Sequence, residues 1–282
     1  MRVAVVGHVE WVELVRIGQF PARGEVVEAT SITELAAGSG AIAALQLSTL
    51  AGEVTFFTRL TDDERGQKAR LELERQSVRV EAVHEGSELR RAFVFVDDSS
   101  ERTITVYGEK RIPLGTDPLP WSELASFDGV CFFCGDTLAL EAARQAPIVV
   151  ATARWLPGLK HAGVPIDALV RSGPDLAERY RPGDLSPEPA LVVTTEGARG
   201  GSLSIPGRPL QRFQPSAPPG PQVDAYGCGD SFAAALMFAL AEGKGAEDAV
   251  SFAARCGAAC LTGEALTGQL RLRDAGAALP GS

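Results

Sequence analysis

The sequence lacks long apolar runs and has little positive charge. No stretch of the 282 residues approaches the ~18–20 consecutive apolar residues that a transmembrane helix needs. The first six residues lead directly into a strand-like segment, without the long apolar region of a cleavable signal peptide. The 27 Lys and Arg are outnumbered by 36 Asp and Glu, which gives a net charge of −9. We therefore expect neither membrane association nor nucleic-acid binding, since the latter needs clustered Lys and Arg.

Cysteine and histidine are also scarce. Five cysteines, an odd number in a chain of this length, fit a reducing compartment better than a disulfide framework and lead us to expect a cytoplasmic protein. Cys131 and Cys134 form a C-x-x-C within an apolar strand and have no second pair, so we interpret them as buried thiols. Three scattered histidines do not indicate a metal site.

The sequence does contain a regular alternation of short apolar segments and longer helical patterns. Apolar runs predict strands, and the stretches between them predict helices; the strands fall at 3–6, 54–57, 130–133, 148–151 and 191–194, and the helices at 41–51, 62–76, 230–242 and 246–261. This βαβα order favours one α/β domain over residues 1–282, with a mostly parallel sheet covered on both faces.

Two further regions alternate with a period of two residues. Residues 91–96 and 102–106 flank the polar turn 97–101 and predict a hairpin. Residues 12–17 and 26–32 show looser alternation around a turn-rich segment. We expect the regions of about 12–32 and 88–110 to form a small accessory β lid, which could support a homodimer.

The most informative stretch is a glycine turn that leads into an apolar helix. Gly227 and Gly229 surround one residue, and Asp230 follows in the first helical turn. Glycines allow close backbone approach, and the free N–H groups at a helix N-terminus suit a phosphate. A carboxylate at Asp230 could accept a proton from a hydroxyl that attacks that phosphate.

Residues 224–232 read Asp-Ala-Tyr-Gly-Cys-Gly-Asp-Ser-Phe. This resembles the C-terminal signature of the ribokinase-like (PfkB) carbohydrate kinase family, with small-residue variants at positions 225 and 228. Residues 37–40, 57–66, 102–107 and 194–200 resemble further family segments in the same order. The resemblance implies a ribokinase-like three-layer α/β/α fold with a central mostly parallel sheet and a small accessory β lid.

The resemblance also implies roles for the turn. Asp230 would be the general base and would also contact the substrate hydroxyl. The backbone of Gly227, Cys228 and Gly229 would form an anion hole for the γ-phosphoryl group. ATP with Mg²⁺ would be the donor. Asp224 lies where family members often arrange a loop for a monovalent cation such as K⁺; it could equally tie the loop down by hydrogen bonds.

Other candidate residues follow from the same resemblance. Thr195, Gly197 and Gly200 would face the nucleotide. The backbone of the turn Gly38, Ser39 and Gly40 would approach the sugar.

Two departures concern the sugar site. The family's Asn after the glycine turn is replaced by Ile42. The acid after the first strand is absent, which leaves Glu10 or Glu13 as a substitute.

The Asn-x-x-Glu motif that supports magnesium is also imperfect. Residues 172–175 and 175–178 are both candidate registers for it. We expect an ATP-dependent kinase of a small ribose- or fructose-like sugar. The alternatives are a nucleoside kinase, in which Trp11 could stack on a base, and a non-catalytic sugar- or nucleotide-binding relative.

Overall fold

The computed structural model describes residues 1–263, Leu266 and Gly268. Within these residues the strands are β1 Arg2–Val6, β2 Glu10–Arg16, β3 Ser31–Ala37, β4 Glu53–Leu60, β5 Val78–His84, β6 Arg91–Val96, β7 Arg102–Tyr107, β8 Gly129–Phe132, β9 Val149–Thr152, β10 Ala168–Ser172, β11 Leu191–Thr195, β12 Gly201–Ser204 and β13 Gln211–Phe213. The helices are α1 Ser39–Leu50, α2 Glu64–Arg75, α3 Thr137–Ala143, α4 Leu156–Ala162, α5 Cys228–Ala241 and α6 Ala246–Cys260. Short 3₁₀ turns occupy Trp121–Ser126, Ala153–Trp155, Leu176–Glu178 and Gly197–Arg199.

Nine strands form the main sheet, in the order β13-β12-β11-β10-β9-β8-β1-β4-β5. The strands from β5 to β11 along this order are parallel, and β12 and β13 add an antiparallel edge. In β1, Val3 and Val5 pack into the core on one face, while Ala4 and Val6 pack on the other. Burial on both faces explains why this strand is a continuous apolar run.

Helices cover both faces of the sheet. The core on one face includes residues of α1, α2, α5 and α6. The core on the other face includes residues of α3 and α4. The expected three-layer α/β/α architecture is confirmed. Among the described residues, no helix combines the length and the apolar character that crossing a membrane requires.

The accessory sheet has the order β3-β2-β6-β7. Its two outer pairs are antiparallel, and β2 and β6 pair in parallel, with Trp11 opposite Arg91. Its buried face includes Val12, Leu14 and Val94 and packs against Ile42 of α1. We call this sheet the lid. It lies against the same helix that starts at the predicted sugar turn.

The predicted lid regions differ from the observed strands in one place. The hairpin β6–β7 falls inside 88–110, as drawn from the sequence. The strand expected at 26–32 is wrong, because β3 begins only at Ser31 and Val26 is 95% exposed. The apolar residues at 26–32 predicted a strand, but pairing with β2 decides where the strand lies, and residues 31–37 pair along the whole of β2.

Some strands of the main sheet carry weak sequence signals. β5, β10, β12 and β13 fall outside the strands that the sequence predicts. β13 has only three residues, Gln211–Phe213, and lies at the sheet edge, where partner pairing rather than apolar pattern defines it.

Asp63 connects α2 to the base of the lid. Its carboxylate accepts hydrogen bonds from the Gly66 N–H at 3.1 Å and the Leu89 N–H at 3.4 Å. Burial alone would raise the pKa of Asp63, but these bonds and one from Thr61 hold it below its usual value. The carboxylate thus caps α2 and fixes the chain just before β6.

We expect Asp63→Ala to lower the free energy of unfolding by about 1–2 kcal/mol, since it removes a helix N-cap. Urea unfolding followed by circular dichroism measures this change. Glu64→Ala is the control, because Glu64 is exposed and pairs with Lys68 on the helix surface. Equal stability of the two variants would contradict the capping role of Asp63.

Candidate active site

A cleft of about 1190 Å³ opens between the lid and the carboxyl-terminal edge of the main sheet. The chain segments that follow β1, β10 and β11 meet there, as ligand sites in open α/β sheets do. Most of the predicted site residues line it: Glu10, Gly38, Ser39, Thr195, Gly197, Gly200, Gly227, Cys228, Gly229 and Asp230. Gly40 and Asp224 lie behind its wall.

The glycine turn forms the start of α5. Gly227 has a φ of 80° and caps the helix, which begins at Cys228. The first N–H groups of a helix have no acceptor within it, and this arrangement binds anions. A Cβ atom on Gly229 would meet nothing within 4 Å, so the backbone there borders open space. The turn therefore presents unused N–H groups at the cleft.

Asp230 lies in the first turn of α5 at the floor of the cleft. Burial raises the pKa of its carboxyl to about 6, and the nearby charge of Glu178 acts in the same direction. A hydrogen bond from Ser39 and the charges of Arg102 and Arg154 oppose this rise in pKa. The carboxylate is thus ionised at neutral pH but is more basic than an ordinary aspartate.

A second acidic group lies beside Asp230. Glu178 accepts a hydrogen bond from the Ser172 N–H at 2.6 Å, and burial raises its pKa. Arg154 lies 3.1 Å from Glu178 and 2.6 Å from Asp175. Of the two candidate registers for the acidic motif, only 175–178 brings a glutamate to the cleft.

The lid end of the cleft contains a buried cluster. The Glu10 carboxylate lies 2.7 Å from Arg90 Nε and 3.3 Å from His8 Nε2. Although burial alone would raise the pKa of Glu10, its hydrogen bond with His8 and the charges of Arg90 and Lys110 lower it. Burial lowers the pKa of His8. Gly38 has a φ of 86°, and a Cβ atom on it would lie 3.2 Å from Glu10 Cγ, so any other residue here would be strained and would crowd this cluster.

Three residues do not take the positions expected at the sugar end. Glu13, the alternative to Glu10, forms an ion pair with Arg91 of β6 and does not line the cleft. Trp11 packs in the main core at 5% exposure rather than facing a ligand. Gly40 packs instead of opening onto the cleft, since a Cβ atom there would lie 2.8 Å from the His8 carbonyl. Ile42, which replaces the family's Asn, lines the cleft beside Gly227 although it is almost fully buried.

Thr195, Gly197 and Gly200 lie together at the other end of the cleft. Thr195 ends β11, and the following turn is closed by a hydrogen bond from the Glu196 N–H to the Gly200 carbonyl at 2.7 Å. Gly200 has a φ of 76°, and a Cβ atom on it would meet the Phe213 carbonyl at 2.2 Å. The backbone of this turn is therefore closely packed on one side and open to the cleft on the other.

Sequence reasoning missed much of the wall at this end. It is small and mostly apolar and includes the segment 215–218 and the α6 residues Ala254, Gly257 and Ala258. Small residues of α6 indicate helix packing in a sequence, and only the fold places them beside Thr195. A flat apolar wall of this kind suits a planar ring.

Asp224 is buried just before the turn. Its carboxylate accepts a hydrogen bond from the Tyr226 N–H at 3.0 Å and lies 3.7 Å from Arg16 of β2. These contacts match the loop-anchoring alternative for Asp224. Within the described residues, no group of three or more His, Cys, Asp or Glu side chains could hold a metal ion.

The neighbours of Cys228 give no sign of an activated thiol. Its hydrogen bond with Cys260 and its burial raise the pKa of Cys228. This outweighs the lowering expected from the helix N-terminus. Cys131 and Cys134 are buried free thiols, as the sequence predicts.

Solved sugar kinases share this fold. The Arabidopsis thaliana ribokinase complexed with ribose and ATP is 20% identical, with a TM-score of 0.74 over 97% of each chain. Ribokinase from Cryptococcus neoformans in complex with ADP is 19% identical, with a TM-score of 0.77 over 99% of each chain. The microbiome-derived acarbose kinase Mak1 is 22% identical, with a TM-score of 0.81 over 98% of each chain.

These identities show a common fold, while the family is established by the sequence. Among curated proteins, no relative matches the chain. Residues 1–145 and 183–270 match the family model described as pfkB family carbohydrate kinase. This match spans most of the chain and confirms the resemblance drawn from the glycine turn. The chain therefore belongs to the pfkB family of carbohydrate kinases and is a phosphotransferase of the sugar kinase class.

Proposed function

We propose that the protein transfers the γ-phosphoryl group of ATP to a hydroxyl group of a small sugar-like substrate. The observation that carries this proposal is Asp230, a basic carboxylate beside the unused N–H groups of the α5 turn. The cleft extends from this point toward Glu10 on one side and toward Thr195 on the other. Two substrates could therefore meet at Asp230.

In this proposal the nucleotide binds between the Thr195–Gly200 turn and the small residues of α6. The acceptor binds on the side of Gly38, Ser39 and Glu10. The acceptor oxygen bonds to the γ-phosphorus as the bond from phosphorus to the bridging oxygen of ADP breaks, and Asp230 takes the hydroxyl proton. N–H groups of Gly227, Cys228 and Gly229 stabilise the charge on the transferred phosphoryl oxygens.

Magnesium fits beside the acidic pair of the cleft. Glu178 is close enough to Asp230 to raise its pKa, so two negative charges share this region. Carboxylate oxygens are ligands that Mg²⁺ prefers, with water and phosphates supplying the remainder. We propose that Glu178 and Asp175, both of which also pair with Arg154, would hold the ion, which would neutralise phosphate charge when bound. We assign Asp224 the anchoring role, because its buried carboxylate accepts the Tyr226 N–H just before the turn.

The two alternative functions have less support. The nucleoside kinase alternative rests on the replacement of the family's Asn by Ile42 and on Trp11 stacking on a base, and Trp11 packs in the core. A non-catalytic binder would have no need for the raised pKa of Asp230. The homodimer remains a prediction: β7 is exposed along its length and forms one edge of the lid, and its test is the mass of the protein in solution.

Asp230→Asn should lower kcat for ADP production by about 10²–10⁴-fold, since an amide cannot accept the proton. The assay measures ADP formed from Mg-ATP across pentoses, hexoses and nucleosides. Binding of ATP, measured by calorimetry, should persist. Asp248→Asn is the matched control, because Asp248 is an exposed acid in the first turn of α6. Equal rates for Asp230→Asn and the native enzyme would refute the assignment of the base.

The pH profile offers a second test. The base must be ionised, so kcat/KM should fall as the pH drops through about 6, the pKa of Asp230. The hydrogen bond from Ser39 favours the ionised form, so Ser39→Ala should move this acidic limb to higher pH. Titration of ATP is common to both enzymes and cancels in the comparison.

Ser48→Ala is the control for the pH profile. Ser48 is another serine of α1, and it donates its hydrogen bond to the Leu45 carbonyl, away from Asp230. This variant should leave the acidic limb in place. A Ser39→Ala limb that coincides with the native one would mean that Asp230 is not the group that titrates.

A further inference from the structure

Lys110 is a cation at the lid end of the cleft. It follows β7 and lines the cleft, and its Nζ lies 5.3 Å from the centre of the Trp155 ring. Its positive charge acts to lower the pKa of both His8 and Glu10. Within the described part of the chain, no carboxylate lies within 4 Å of Nζ, and its close contact is with the Trp155 ring. The neighbouring acid, Glu109, pairs with Arg111 instead.

The charges around Lys110 do not balance. Glu10 supplies one negative charge, and Arg90 neutralises it from 2.7 Å. His8 is buried, and its pKa is lowered, so it is neutral at physiological pH. The positive charge of Lys110 therefore remains uncompensated, in a part of the cleft where Glu10 and His8 are almost entirely buried.

This excess charge lies on the acceptor side of Asp230. Ser39 hydrogen-bonds to Asp230, and its neighbour Gly38 packs against Glu10 and His8. Contacts thus run continuously from the base along the start of α1 to the cluster beside Lys110. The nucleotide turn at Thr195 follows β11, and in the main sheet β10, β9 and β8 separate β11 from β1, the strand that leads to His8 and Glu10.

We propose that the acceptor carries an anionic group, a carboxylate or a phosphate, that binds to Lys110 and Arg90 while its hydroxyl group faces Asp230. This inference rests on the proposed kinase function and narrows its substrate class. Hydroxyls of a neutral sugar could bond to Glu10 and His8 but would leave the ammonium without a counter-charge. Charge-assisted hydrogen bonds are about twice as strong as neutral ones, so the anionic group would dominate acceptor selection.

The test compares acceptors that differ in charge. ADP production is measured with glucose, glucuronate and gluconate, with fructose and its 1- and 6-phosphates, and with ribose and ribose 5-phosphate. We expect kcat/KM to be highest for a charged acceptor. Whether that acceptor is a sugar acid or a sugar phosphate identifies which anion is bound. Lys110→Met should lower kcat/KM for that acceptor by roughly 10–100-fold and change neutral acceptors little. Lys110→Arg should retain the preference.

Lys160→Met is the matched control, because Lys160 lies on α4 and pairs with Asp184. It should leave all rates unchanged, and thermal unfolding of each variant verifies its fold. A preference for neutral sugars that Lys110→Met does not alter would overturn this inference while the kinase function stands. A rise in the KM for ATP with every acceptor in Lys110→Met would also overturn this inference, because it would place Lys110 at the nucleotide. Absence of turnover with all acceptors, charged and neutral, would overturn the kinase function and this inference with it.

Discussion

The active-site geometry depends on how the lid holds the backbone just before the glycine turn. Arg16 of β2 donates a hydrogen bond to the Val223 carbonyl at 3.0 Å, and Arg102 of β7 donates one to the Ala225 carbonyl at 3.1 Å. Between them, the buried Asp224 accepts the Tyr226 N–H. With its carbonyls engaged by the lid, the chain enters Gly227 in one orientation, and this fixes where the first N–H groups of α5 lie.

Packing against α1 completes this constraint and explains a departure from the family pattern. A Cβ atom on Gly227 would lie 3.0 Å from Ile42 Cγ2, so the turn rests directly on this side chain. Ile42 is 1% exposed and belongs to the core that joins the lid to the main body. An apolar residue at this position supports the turn by packing against it. The polar contacts with the acceptor are then left to His8, Glu10 and the residues beside them.

The sequence was sufficient wherever a local pattern dictates the structure. The apolar run of β1 is buried on both faces, and the Gly-x-Gly-Asp turn places Asp230 in the first helical turn. It was insufficient where contact with a distant segment of the chain decides the structure. β3 is set by its pairing with β2, and the direction of Trp11 follows from the pleat of that strand. Motif spacing left two registers open around Glu178, and only the fold distinguishes them, while Lys110 reaches the cleft from a distant segment that carries no motif.

Arg102 links the position of the lid to the chemistry of the base. Besides holding the Ala225 carbonyl, its charge lowers the pKa of Asp230 against the rise caused by burial and by Glu178. The same strand therefore anchors the backbone of the turn and places a positive charge near the base. Both effects come from one side chain of the lid, so the position of β7 sets the orientation of the α5 turn and the electrostatic surroundings of Asp230 together.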